Sequence, residues 1–154
     1  MKNLSLGLLL LILTVQHAEA RRVLRMSEES LRDQSDLIVI AKYGSTRKTK
    51  EQWILQHISP DTHVVGVLSN FEIRRIIKGD AGLKKFTLHH YALRADEESE
   101  VVINGPGLIS FEGTAAGTCY LLYLRHTAQD RYDPTGGQTD PGVQSVTRLG
   151  NAEC

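Results

Sequence analysis

Most of the chain after residue 21 follows the two-residue alternation of apolar and polar positions that is typical of β-strands. Residues 63–77 show it most clearly, whereas residues 37–41 and 118–125 are apolar on both faces, as in strands at the middle of a sheet. The pattern predicts about six strands and one additional edge strand. The strands are residues 37–41, 53–58, 63–77, 86–93, 108–111 and 118–125, with residues 143–149 at the edge.

Turn and cap residues refine this pattern. Ser59-Pro60-Asp61-Thr62 suits a type I turn and predicts a hairpin between the second and third strands, and the polar residues 44–52 separate that hairpin from the first strand. The alternation slips at Arg74-Arg75, where a β-bulge would return Ile76 to the core face. Ser27, followed by two glutamates, predicts the N-cap of a short helix.

These elements predict a mainly β fold. Short strands joined by turns, with one short N-terminal helix, favour a small antiparallel OB-like barrel, and a β-sandwich is the alternative. The sequence contains no internal repeat and no low-complexity tract. We therefore expect one β-rich domain over residues 21–154.

The first twenty residues have the pattern of a cleavable signal peptide. Lys2 precedes an apolar run over residues 4–15, and Ala18-Glu19-Ala20 provides a small-residue cleavage site. The apolar run of about 12 residues is short for a bilayer span, which needs roughly 20. We expect residues 1–20 to be removed and the domain to be secreted or periplasmic, without a stable membrane span after cleavage. An uncleaved membrane anchor is the alternative.

The net charge bears on the kind of partner, and the cysteine content bears on the cellular compartment. The chain has 18 basic and 18 acidic residues, so its formal net charge is zero, and no basic stripe is evident that would predict a nucleic-acid or anionic-membrane partner. The only cysteines are Cys119 and Cys154. In an oxidising compartment we expect them to form a structural disulfide, the alternative being two free thiols.

No motif in the sequence indicates a catalytic, cofactor or metal site. His89 and His90 are adjacent on a strand and point to opposite faces, which does not favour one shared metal. We expect one of them to be hydrogen-bonded inside the barrel and the other to be exposed. There is no G-x-S-x-G motif, and the paired carboxylates of residues 96–100 are expected to be solvated.

Several segments carry a resemblance to known proteins. The chain resembles a group of small exported bacterial proteins of unassigned function, and its order of strands and turns is similar to the OB barrel of the netrin and tissue-inhibitor-of-metalloproteinase class. The segments are residues 35–42, 71–73, 78–80, 84–91, 104–108 and 120–124. Those inhibitors bind zinc through an N-terminal cysteine, whereas the mature chain would begin at Arg21, so the resemblance implies the fold without that activity.

The favoured function is a binding or interaction module for an unknown protein or envelope ligand. A structural envelope component and an enzyme without a recognisable motif are the alternatives. Loops on small rigid barrels often carry recognition, so we predict a binding surface where Asn104, in the turn 104–107, meets the strand bearing His89, His90 and Tyr91. That surface requires at least one of the two histidines to be accessible to solvent.

Overall fold

A computed structural model of the chain describes residues 26–55, 62–94, 107–127, 131–138 and 145–154. The predicted signal peptide, residues 1–20, lies outside these residues, as do Asn104 and most of the predicted hairpin turn. None of the helices within the described ranges is long and apolar enough to cross a bilayer.

The helix α1 spans Glu28–Gln34 and confirms the predicted cap. The backbone N–H of Ser30 donates to Ser27 Oγ at 3.1 Å, and two glutamates in the first turn face the positive end of the helix dipole. Leu31 is the buried residue of the helix and packs with Ile38 and Tyr123. The helix therefore covers one outer part of the sheet.

Six strands form a single mixed sheet. They are β1 (Leu37–Leu55), β2 (Thr62–Lys78), β3 (Lys85–Leu93), β4 (Cys119–Thr127), β5 (Arg131–Pro134) and β6 (Val146–Arg148), followed by a short 3₁₀ helix, Asn151–Glu153. The polar residues 44–52 belong to β1, because they pair with β2 although their side chains are mostly exposed. The predicted strand 108–111 is wrong: Leu108 forms an isolated bridge and the next three residues are irregular.

Five of the strands close into a ring in the order β1-β2-β3-β5-β4, because β4 also pairs with β1. The ring confirms the mainly β, barrel-like fold. Four of its five pairings are antiparallel, whereas β3 and β5 run parallel, so the predicted all-antiparallel barrel is corrected at this position. The edge strand β6 adds to β4 outside the ring.

The predicted bulge in β2 is confirmed. Ile40 pairs with Arg75 and Ala41 with Ile73, which leaves Arg74 without a partner in the register. Because one residue is skipped, Ile73 and Ile76 both pack against the core despite their odd spacing.

Aromatic rings fill the inside of the ring. Phe71 stacks on Phe86 at a centroid distance of 5.2 Å and meets Phe111 edge-to-face at 5.3 Å. Such pairs add to the stability from buried apolar area.

The predicted pairing of the cysteines is confirmed as well: Cys119 and Cys154 form a disulfide with Cα atoms 5.8 Å apart.

Candidate functional site

The predicted binding residues lie on β3, except for Asn104, which is outside the described residues. His89 is 5% exposed and His90 is 2% exposed, whereas Tyr91 is half-buried. The expectation that one histidine is exposed is therefore wrong, and the condition attached to the predicted binding surface is not met. The histidines do point to opposite faces, and the side chains around the two rings differ in charge.

His90 lies inside the barrel at the end of a chain of hydroxyl groups. Its Nε2 is 2.8 Å from Ser69 Oγ, which is 2.6 Å from Thr46 Oγ1. Tyr43 donates its hydroxyl to the same Thr46 oxygen at 3.1 Å. Every partner in this chain is uncharged at neutral pH.

Burial dominates the ionisation of His90. Loss of water around the ring lowers the pKa of His90 from 6.5 to about 4, because the imidazolium form is disfavoured in a low-dielectric interior. The ring of Phe111 packs edge-on against it at 5.3 Å. His90 is thus a neutral core residue at physiological pH.

His89 lies on the outer face, between two carboxylates. Its Nε2 is 2.9 Å from Glu51 Oε2, and its Nδ1 is 3.1 Å from Asp133 Oδ1. Arg131 donates to the other Glu51 oxygen at 2.6 Å. The two ring nitrogens of one imidazole therefore contact carboxylates from two different strands, β1 and β5. We call these four residues the His89 cluster.

Glu51 reaches His89 because of a bulge in β1. Lys48 pairs with Val67 and Gln52 with Val65, so residues 49–51 lie opposite the single residue Gly66. A Cβ at position 66 would be 2.6 Å from Thr49 Oγ1 and 2.9 Å from Glu51 Oε2. The absence of a side chain at Gly66 is what allows the bulge to fold over the outer face.

The His89 cluster changes the ionisation of its neighbours. The hydrogen bond from Arg131 is the main cause that holds the pKa of Glu51 below its ordinary value of 4.5. Burial, followed by repulsion from Asp133 and Glu51, raises the pKa of Tyr91, whose ring lies 5.1 Å from that of His89. These contacts stabilise the anionic form of Glu51 and the neutral phenol of Tyr91.

Sequence reasoning identified His89 but missed Glu51, Arg131 and Asp133. Glu51 and Asp133 are 38 and 44 positions away from His89, respectively, and no local spacing connects them. Among the described residues, no group of three histidine, cysteine or carboxylate side chains could hold a metal ion. Both ring nitrogens of His89 already face protein carboxylates, so the cluster is organised to fasten strands together.

A separate cleft of about 600 Å³ crosses the outer face of β1, β2 and β3. Lys42, Glu72 and Lys85 are cross-strand neighbours and form one row along it, which we call the charged row. Gly44 has no partner in the β1–β2 register and carries no side chain, which opens the floor beside the row. A second row is neutral, with Thr87 donating to Asn70 Oδ1 at 3.2 Å.

No protein-family model matches the chain, and no curated protein sequence matches it significantly.

Proposed function

We propose that the chain is an exported binding module that recognises an acidic oligosaccharide in the cleft over β1, β2 and β3. The observation that carries this proposal is the charged row. Lys42 and Lys85 flank the cleft on β1 and β3, with Glu72 between them on β2. Fold class alone does not determine which ligand a protein binds, so the proposal rests on the chemistry of the charged row.

The spacing of the charged row indicates how far apart the anionic groups of its ligand should lie. Neighbouring strands lie about 4.8 Å apart, so the two lysines are separated by about 10 Å at the backbone. A complementary ligand carries two anionic groups at about that spacing and a hydroxyl donor between them, opposite Glu72. A glycan with carboxylates on its repeating units and free hydroxyl groups has this arrangement.

Binding fits the cleft better than catalysis does. The described residues that line it include no histidine, cysteine or serine. His89, which lies between two carboxylates, does not line the cleft. Strand faces of small OB-type barrels bind oligonucleotides and oligosaccharides, and the overall charge balance disfavours the former.

The sequence features that predict export support the same proposal. The signal-peptide pattern of residues 1–20 and the Cys119–Cys154 disulfide both suit an oxidising compartment outside the cytoplasm, where acidic glycans occur. N-terminal sequencing of the mature protein is expected to begin at Arg21.

The proposal is tested by calorimetric titration of residues 21–154 with short oligogalacturonates and with their methyl esters, which lack the charge. We expect binding of the acid form that weakens with added salt. Lys42→Gln combined with Lys85→Gln should reduce affinity about tenfold or more, because both cations that face the anionic groups are removed.

A matched double variant, Lys84→Gln with Arg148→Gln, removes two exposed charges outside the cleft. It should bind like the parent. Absence of binding by the parent, equal binding of the methyl ester, or equal losses in the two double variants would contradict the proposal.

A further inference from the structure

The outer half of β1 forms an arm that extends beyond the closed ring. The β1–β4 pairing ends at Lys42, and from Ser45 onward the register of β1 involves β2. We call residues 45–55 the β1 arm. Near its end, Trp53 is 63% exposed and Ile54 is 44% exposed. Adjacent strand residues point to opposite faces, so both faces of the β1 arm carry an apolar side chain at this end.

Basic side chains precede this apolar end. Arg47, Lys48 and Lys50 are all exposed on the arm. The one acidic residue of the arm, Glu51, is engaged by His89 and Arg131. The arm therefore has a local positive excess, although the net charge of the whole chain is zero. That overall balance had led us to expect no anionic-membrane partner, and it does not describe this part of the surface.

The size of the apolar end indicates which kind of partner it fits. A stable protein–protein interface buries about 1,200 Å² or more, whereas an aromatic side chain contributes about 150–250 Å². Trp53 and Ile54 together are too small to form the centre of such an interface. Lipid association has no comparable minimum, since exposed aromatic residues at the membrane interface and lysines near anionic headgroups act together.

We propose that the β1 arm docks on an anionic phospholipid surface, with Trp53 and Ile54 entering the interface and Arg47, Lys48 and Lys50 facing the lipid phosphates. Lys48 pairs with Val67 and Trp53 with Val64, so at about 3.3 Å per residue along β2 Lys48 lies about 10 Å behind Trp53, and Lys50 lies between them. That distance is enough to cross the headgroup layer, so the lysines can reach the lipid phosphates while the end of the β1 arm enters the top of the acyl region. This inference is independent of the ligand proposed for the cleft.

The chain offers a direct reporter, because Trp53 is its single tryptophan. Residues 21–154 are titrated with vesicles of phosphatidylcholine containing phosphatidylglycerol, and with vesicles of phosphatidylcholine alone. We expect the emission of Trp53 to shift to shorter wavelength and to lose acrylamide quenching with the anionic vesicles, and both changes to reverse in high salt.

Co-sedimentation then tests each part of the arm. Each basic residue near an anionic surface contributes about fivefold in affinity, so Lys48→Gln with Lys50→Gln should weaken binding about 25-fold. Trp53→Ala and Ile54→Ser should each weaken it about tenfold. Ile77→Ala, at another exposed isoleucine, and the Lys84→Gln/Arg148→Gln variant are matched controls and should bind like the parent.

Three results would overturn the inference: an unchanged Trp53 emission spectrum at saturating anionic lipid, equal binding to neutral vesicles, or equal losses in the matched controls. The Lys42→Gln/Lys85→Gln variant should keep its lipid binding. If that variant loses lipid binding and the arm variants do not, the cleft holds the lipid and the arm has no part in docking.

Discussion

Two adjacent residues of β3, His89 and His90, show how the two faces of one sheet accommodate the same side chain. On the inner face, His90 contacts an uncharged hydroxyl and is held neutral, with its pKa lowered to about 4 by burial. On the outer face, His89 has a carboxylate at each ring nitrogen. Both rings are nearly inaccessible to solvent.

The difference arises from what each face can supply. The inner face of a closed barrel is formed by apolar and hydroxyl side chains, so a histidine there must remain uncharged. The outer face is covered at His89 by the bulge of β1 and by β5, both of which bring charged groups. Two histidines buried to the same extent can therefore have very different neighbours, hydroxyl groups in one case and carboxylates in the other.

Acid should have the largest effect, through His90. Its pKa is about 4 in the folded protein and about 6.5 when unfolded, so the unfolded chain binds the proton first. Stability from this group is full above pH 6.5 and falls as the pH decreases toward 4, by about 3 kcal/mol in total. Urea unfolding of the parent and of His90→Leu across this range measures the difference.

His90→Leu should show a shallower pH dependence than the parent between those limits. His126→Gln, at an exposed histidine, is the matched control for the loss of an imidazole. If the parent and His90→Leu have parallel pH profiles, the assignment of His90 as the acid-sensitive group fails.

On the outer face, His89→Gln should lower the free energy of unfolding by about 1–2 kcal/mol at neutral pH. The substitution removes the ring that separates Glu51 from Asp133, while the partial exposure of both carboxylates limits the cost. A double-mutant cycle with Glu51→Gln should show coupling between the two positions. Additive losses would mean that the His89–Glu51 contact contributes nothing to stability.

The smallest effect is expected at Gly66. An alanine there would meet Thr49 Oγ1 and Glu51 Oε2, both side-chain atoms, so the bulge should shift at a cost of about 1 kcal/mol. Nitrogen chemical shifts of the His89 ring should change, and those of His90 should not. Gly44→Ala is the matched control, since its Cβ would lie 3.2 Å from the Asn70 carbonyl oxygen. It should leave both rings unaffected.

Local patterns predicted the parts of the fold that local chemistry determines. The Ser27 cap and the apolar start of β1 each follow from a short run of residues. The bulge at Arg74 followed from a parity change alone. By contrast, the polar half of β1 gave no strand signal because its side chains are polar and mostly exposed, and its strand structure depends on pairing with β2.

The contacts of the candidate sites were predictable only in part. The two-residue period placed His89 and His90 on opposite faces, as observed. It did not reveal that β5, a four-residue strand absent from the prediction, would place Asp133 beside His89. The charged row likewise depends on the register of three strands, and a shift of one residue in any of them would disperse it.

The disulfide has a consequence for proteolysis. Cys119 begins β4 and Cys154 follows β6, so β5 and β6 lie within a covalently closed loop. A single cut anywhere in that loop leaves both fragments joined through sulfur, so Arg131 and Asp133 stay tethered to the barrel whichever fragment carries them. Nicked protein would therefore keep its full mass on a non-reducing gel and separate into two pieces only after reduction.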